Sequence, residues 1–409
     1  MKIAVKEKNG KVAVLTVCLS ALILINFFGM SNIRLELSFG VLVLPFILLE
    51  IRKTIKFKKI LIVMSLGIFA SIISCLYFRG QSVYMTFRVS LFLFTIFFYF
   101  FLINRKYSLE TVEKSLIMLG IFGCCLYIIQ FILLKFDIAL FYEATKAIEG
   151  MEAGSIERER FRMVGSGFVS LIYFLGLNKL MTGRGRFVYV LCMILGFVVI
   201  VLMGFRTMLV GIVICTLLLL LTNKGKKKLT TIIVIVVIGF AVMQIPAISD
   251  KITYMQEKQT SGIVVFSNND YIRWIQLDYF LNSHFNNRAE MFFGSGMPGY
   301  GNSSYFQYYL SLTELGIYWV DWGLIGLLWV IGVIPVVCMI LYSFRAYRMK
   351  VEPQYKYVGI WFLYLLLLSV TTAEFFREGN FIVQALALYL VVKANEKHEL
   401  EKVGYEICS

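Results

Sequence analysis

The chain has 409 residues, of which 59% are hydrophobic and only 16% charged, and its 40 Lys and Arg against 25 Asp and Glu leave a formal net charge of +15. Soluble domains carry about 25% charged residues, so this composition excludes an ordinary soluble enzyme, and it equally excludes a disordered chain, a collagen or a secreted disulfide scaffold. In a soluble protein the charge would point to nucleic acid; in a membrane protein its meaning depends on where the cations sit.

Apolar runs recur along the chain, and a helix that crosses the hydrocarbon core needs about 20 residues. The runs predict twelve spans, near 12–30, 37–51, 60–78, 89–103, 116–134, 168–181, 187–204, 207–221, 229–245, 322–344, 357–370 and 381–392. They are continuously apolar rather than alternating, which favours helices over a closed β-barrel. The expected fold class is an all-α polytopic membrane protein of about twelve transmembrane helices, a single integral membrane domain over residues 1–409. The first run has basic residues before it and no small-residue cleavage site after it, so it reads as an anchor rather than a removed signal peptide.

Cations mark the cytoplasmic side of such a protein. With the N-terminus inside, the cytoplasmic segments hold 26 Lys and Arg, and the short outer loops hold five: Arg34, Arg79, Arg88, Arg206 and Arg377. That contrast predicts an even number of spans with both termini cytoplasmic. Seven of the eight Cys lie in spans and the eighth, Cys408, in the tail, so no outer disulfide is expected. No CxxC, HExxH or EF-hand loop is present, and the two histidines, His284 and His398, fall on opposite sides, so no metal site is expected.

Two outer loops are long. The first covers 135–167, and within it Glu149, Glu152, Glu157 and Glu159 alternate with Arg158, Arg160 and Arg162. This pattern reads as a solvated helix or flap, or as a lid that touches substrate. The second, between the ninth and tenth spans, covers 246–321; loops of this length are usually functional or disordered. It is rich in aromatics, which suits a cap lying on the interface or a surface on which sugars stack. The stretch 270–280 reads as an amphipathic helix, with Ile272, Ile275 and Tyr279 on one face and Arg273 and Gln276 on another. Gly294 to Gly301 matches GxGxxG, but no βαβ unit surrounds it, so it is read as a tight turn rather than a nucleotide loop.

Arg206 stands in Met203-Gly-Phe-Arg-Thr207, which joins two spans with almost no loop. A cation at that depth must snorkel to lipid phosphate or meet an anion. Arginine suits a fixed phosphate site because its planar fork binds two oxygens at once. Arg79, Arg88, Arg273, Arg288 and Arg377 are expected on the same side.

The layout of about twelve spans with a long outer loop before the last three resembles the bacterial O-antigen and polysaccharide polymerases (Wzy) and their relatives, the O-antigen ligases. The local matches are Gly204-Phe-Arg-Thr207 opening a span, Arg273 with Trp274, the Gly294–Gly301 turn, and the run Asn302–Gly316 followed by Asp321-Trp-Gly-Leu-Ile-Gly326. Ligases typically place a His-Asn type pair about eleven residues before a Gly-x-x-Gly; here Gly323-Leu-Ile-Gly326 is present but position 312 is Leu, which favours polymerase.

The resemblance implies a C-type glycosyltransferase-like fold in the bacterial cytoplasmic (inner) membrane. It implies as substrate a polyprenyl (undecaprenyl) diphosphate-linked glycan, passed to a hydroxyl of another lipid-linked repeat unit, with no cofactor. The partners it implies are membrane lipid, a chain-length regulator and a flippase, and no nucleic acid. Outside the membrane no nucleotide sugar is at hand, so a lipid-linked donor is required, and Arg side chains would stabilise charge growing on the leaving diphosphate. Arg206 and Arg273 are expected on the diphosphate, with Arg88, Arg377, Arg288 and Tyr305 as further substrate contacts. A base for the acceptor hydroxyl is sought among Glu314, Asp321, Asp278 and His284, unranked. The competing readings are the ligase and a lipid-oligosaccharide flippase. Transporters usually carry ionisable residues near the midplane, and no confident span has one at its middle.

Overall fold

The structure is a computed structural model that describes residues 10–27, 32–50, 52–136, 138, 161, 164–183, 186–223, 233, 253, 272–299 and 303–408. The run at 229–245, the charged stretch 149–160 and most of 246–271 lie outside the described residues. Among the described residues every regular element is a helix: α1 (Lys11–Leu24), α2 (Asn32–Leu42), α3 (Leu44–Glu50), α4 (Lys58–Arg79), α5 (Val83–Phe94), α6 (Phe98–Arg105), α7 (Leu109–Leu134), α8 (Gly167–Met181), α9 (Phe187–Met203), α10 (Arg206–Thr222), α11 (Ile272–Asn282), α12 (Arg288–Phe293), α13 (Ser304–Glu314), α14 (Gly323–Ile331), α15 (Val333–Arg348), α16 (Lys356–Leu368) and α17 (Asn380–Cys408), with 3₁₀ turns at Thr95–Phe97, Trp319–Trp322, Pro353–Tyr355 and Ala373–Phe376.

Among the described residues three segments have the length and apolar content to cross a membrane: α4 with 22 residues, Val83–Arg105 with 23 and α7 with 26. The pair Ser304–Glu314 and Trp319–Ile331 is long and apolar enough only when taken together, and it turns by 71° between its halves, the form of a broken span or a re-entrant loop. Helices α1, α8, α9 and α10 are apolar but shorter, at 10–17 residues. Continuous apolar sequence therefore does not guarantee one continuous helix. The run at 37–51 is split into α2 and α3, and the run at 322–344 breaks at Gly332.

The second break has a local cause. The carbonyls of Trp329 and Val330, at the end of α14, accept from the backbone N–H groups of Ser295 (3.0 Å) and Gly296 (2.8 Å). A helix end leaves its last carbonyls without partners, and here the N–H groups of Ser295 and Gly296 supply them. The fit needs glycine: a Cβ on Gly294 would lie 2.4 Å from the Val330 carbonyl oxygen, and one on Gly332 would lie 2.5 Å from the Phe293 carbonyl. The glycine-rich segment, read from the sequence as a tight turn, is packed into the bundle as far as Gly299. Residues 294–299 thread into the bundle, where Gln81 of the α4–α5 connection donates to the Met297 carbonyl (2.8 Å) and accepts from the Gly299 N–H (2.8 Å).

The bundle centre is α8, buried along nearly its whole length. It lies close against α9, because Gly176 and Gly196 sit at the crossing. A Cβ on Gly176 would be 2.4 Å from the Tyr189 carbonyl, and one on Gly196 would be 2.9 Å from Cβ of Tyr173. Small residues at such crossings let backbones approach where lipid gives no hydrophobic drive between helices. An ion pair is buried near the ends of α7 and α8. Lys179 Nζ sits 2.6 Å from Glu113 Oε1, which also accepts from the Tyr357 hydroxyl at 2.9 Å.

Residues of α11, of the segment 312–317 and of α14 form a small core of their own. The Phe280 ring stacks on Trp329 with centroids 4.2 Å apart, and Leu312 and Ile317 pack beside them. Others, including Trp274, Phe292 and Phe293, remain exposed.

Candidate functional site: an arginine-lined cavity

Gly204 ends α9 in the left-handed conformation (φ 68°), and α10 begins two residues later at Arg206. This tight reversal presents the N-terminus of α10, and Phe205, its N-cap, makes no side-chain capping bond. Free N–H groups and the positive end of the helix dipole face outward there, an arrangement that attracts anions.

The opposite wall is the 3₁₀ turn Trp319–Trp322. Gly326 lets this turn fold back on α14, since a Cβ there would lie 1.7 Å from the Trp319 carbonyl oxygen. Gly323, at φ 54°, lets the turn meet the end of α16: the Leu324 N–H donates to the Ser369 carbonyl at 2.8 Å. The Gly-Leu-Ile-Gly motif therefore acts by sterics, joining two connections into one wall. Trp319 stacks on Phe376, centroids 5.4 Å apart, and so ties in the segment 371–377.

Helix α11 is attached to the same turn by Gln276. Its amide donates to the Gly316 carbonyl (2.8 Å), and its oxygen accepts from Trp322 Nε1 (3.1 Å). Arg273 is one helical turn before Gln276 and so shares its face. These attachments close a cavity of about 320 Å³ lined by Phe205, Arg206, Thr207, Arg273, Asp321 and Arg377, with Val320 and residues 371–373 completing it. The volume is at the small end of the range for ligand pockets, roughly 300–1,000 Å³.

Three guanidinium groups and one helix N-terminus thus face one carboxylate. Arg377 is anchored from behind: its Nε is 3.5 Å from Oε2 of Glu374, a fully buried carboxylate that also accepts from Ser166 Oγ at 2.6 Å. Glu374 is not among the residues expected from sequence; its signal is an acid three positions before Arg377. Among the described residues neither Arg206 nor Arg273 has an ion-pair or hydrogen-bond partner. Among the described residues Asp321 accepts only a long contact from Gln276 Nε2, at 3.5 Å. The cavity carries a surplus of positive charge and donors, and its chemistry is that of an anion site with one acceptor at its rim.

The other expected residues are elsewhere. Arg79 donates through Nε to Glu290 Oε1 (2.5 Å) and through Nη2 to the His284 carbonyl, and it lies over the Tyr305 ring. His284 is buried, its Nε2 3.0 Å from Ser295 Oγ, and burial, with the Arg79 charge, pulls its pKa down to about 3. A neutral imidazole that resists protonation and is closed off from the cavity is poorly suited to act as a base there. Tyr305 is buried, its single hydroxyl proton shared between Ser295 Oγ and the Gly296 carbonyl, each 3.1 Å away. Arg88 pairs with Glu36 at 3.0 Å, across α5 and α2. Arg288, Asp278 and Glu314 are exposed and do not line the cavity, and Asp278 accepts from Asn282 at 2.7 Å. Arg34 lies in α2, and its side chain is outside the described residues.

Among the described residues no three His, Cys, Asp or Glu side chains come together as a metal site would require. No family model matches the chain, and no curated protein matches it either.

Proposed function

We propose that the chain is a glycosyltransferase of the bacterial cytoplasmic membrane, a polysaccharide polymerase that crosses it about twelve times with both termini cytoplasmic. Its substrate in this reading is a polyprenyl diphosphate-linked glycan, and the arginine cavity holds the diphosphate on the outer face. The observation that carries the reading is that Arg206, Arg273, Arg377 and Asp321, far apart in sequence, line one cavity.

In the reaction the acceptor hydroxyl oxygen bonds to the anomeric carbon of the donor sugar. The bond from that carbon to the diphosphate breaks, and its electron pair stays on the leaving diphosphate. Arg206, Arg273 and Arg377, with the N-terminal N–H groups of α10, stabilise that charge. Of the four acids and bases expected from sequence, Asp321 alone lines the cavity, so it is assigned the hydroxyl proton. Leu312 supports polymerase over ligase: the position where the ligase pattern has a polar residue is packed here beside Phe280 and Trp329.

The test is glycan chain length on cells carrying Arg206→Ala or Arg273→Ala. Removing one preorganised donor from a developing oxyanion costs about 10²–10³-fold in rate. The expected result is loss of long chains while single repeats still reach the surface acceptor. Wild-type lengths at wild-type protein level would remove these residues from the mechanism, and loss of single repeats as well would point to the ligase.

A further inference from the structure

Helix α17 runs from Asn380, beside the arginine cavity, to the opposite end of the bundle. At about 1.5 Å per residue, Val392 is roughly 18 Å along it. A second cavity lies at that end, of about 730 Å³, between the loop before α4, the end of α6, α15 and α17. Seven Lys and Arg line it against two carboxylates, Glu50 and Glu396.

Both carboxylates are already engaged. Glu50, buried, holds Lys53 at 2.6 Å and accepts from Asn104 at 2.6 Å, and Glu396 holds Lys393 at 3.3 Å. Lys56 is bound to Asn395 at 2.5 Å. Lys59, Lys106 and Arg345 are left with no carboxylate among the described residues, and Arg345 lies over the Phe57 ring at 5.8 Å.

The backbone from which Lys59 and Lys106 project is held in place. Three non-glycine residues among those described have positive φ, and two of them line this cavity: Phe57 (φ 67°) starts α4, and Lys106 (φ 53°) ends α6. A bulky side chain in the left-handed region is uncommon, and such residues gather at sites where surrounding structure over-determines the backbone. Here the Tyr99 hydroxyl donates to the Lys56 carbonyl (2.9 Å) and the Tyr389 hydroxyl to the Tyr107 carbonyl, pinning both loops. Like charges held together in a concavity repel one another unless an anion enters.

We infer that this cavity is a binding site for a phosphate group, held by Lys59, Lys106 and Arg345. Lysine and arginine are the common phosphate-binding side chains. Two sources supply that chemistry: the headgroup of an anionic phospholipid, whose chains would run along Ile55, Ile60, Ile103 and Val392, and a soluble phosphate compound. The site is separate from the arginine cavity and does not depend on the reading of the outer face.

Thermal unfolding of the purified full chain in detergent tests this, with phosphatidylglycerol or sodium pyrophosphate added. Phosphatidylcholine and sodium chloride at equal ionic strength are the controls for lipid and for screening. Stabilisation above the controls is expected, since a ligand that binds only the folded state raises the melting temperature. A response to phosphatidylglycerol alone identifies the lipid headgroup; a response to pyrophosphate that the Lys59→Ala/Arg345→Ala double variant loses and Arg206→Ala keeps identifies a soluble ligand at this site rather than in the arginine cavity. Lys59→Ala and Arg345→Ala are each expected to weaken the response about tenfold, as loss of a charged hydrogen bond does. Lys106→Gly should weaken the response as well, yet melt higher than wild type without anion, because glycine accepts the left-handed backbone. Lys114→Ala, which removes only an exposed pair with Glu110, should respond as wild type. No stabilisation above the controls, or a Lys59→Ala/Arg345→Ala double variant that responds like wild type, overturns the site.

Discussion

Arg79 and Arg206 look alike in the sequence, each an isolated cation at the edge of an apolar run, and the structure gives them opposite settings. Arg79 is the last residue of α4, at the negative end of the helix dipole, and it meets the buried carboxylate of Glu290. Arg206 is the first residue of α10, where the dipole is positive, and among the described residues no carboxylate meets it. One charge is neutralised from within the fold; the other is placed where the fold alone does not stabilise it. Depth in the membrane is therefore a weak guide to which arginine binds a ligand. Helix end and carboxylate pairing are better guides, and by both criteria Arg206 is the candidate.

The largest effect that would sharpen this contrast is at Glu290. Glu290→Ala leaves Arg79 as an unpaired, largely buried charge, and breaking such a pair costs about 3–5 kcal/mol. Thermal unfolding in detergent should show a severe loss of stability or no folded protein. A near-wild-type melt would mean that Arg79 is not held by its partner.

Arg206→Ala and Arg273→Ala should behave in reverse, with wild-type melting and the collapse of chain length described above. If either variant unfolds the protein, its arginine belongs with Arg79, and the comparison breaks.

A smaller effect is the pH dependence carried by His284. Its pKa falls from 6.5 unfolded to about 3 folded, so between those values the unfolded state binds more protons. Stability from this site is complete above about pH 6.5 and is lost progressively as pH falls toward 3. His284→Phe should flatten that slope in a melting series and leave chain length unchanged at neutral pH, apart from any general loss of fold. The smallest effect is at Arg288, exposed and remote from the cavity. Arg288→Ala should alter neither melting temperature nor chain length, and a shortened glycan would show that the substrate reaches beyond the cavity.

Much of the cavity was legible in the sequence. Arg206 was marked by its position between two spans, and Arg273 with Gln276 by a three-residue spacing that places both on one helix face. The bond from Gln276 to the Trp319–Trp322 turn then brings that shared face to the cavity wall. The gathering of Arg377 and Asp321 was not legible, because their neighbours are set by Gly323 and Gly326, whose close backbone contacts join segments distant in sequence. His284, Glu314 and Asp278 looked equivalent to Asp321 as types of side chain, and only burial and position separate them.

By itself the sequence determined an all-helical chain with segments able to cross a membrane, and an asymmetric placement of charge. Those properties follow from local composition: apolar length, continuity, and the positions of Lys and Arg between runs. The tertiary structure decided where an apolar run is not one helix, which arginines are neutralised, and which side chains share a cavity. Each of these depends on a contact between distant segments, such as the Ser295 and Gly296 N–H groups on the open end of α14 or Glu290 beside Arg79. Such contacts leave no periodic trace, because hydrogen-bond satisfaction and close packing act across space rather than along the chain.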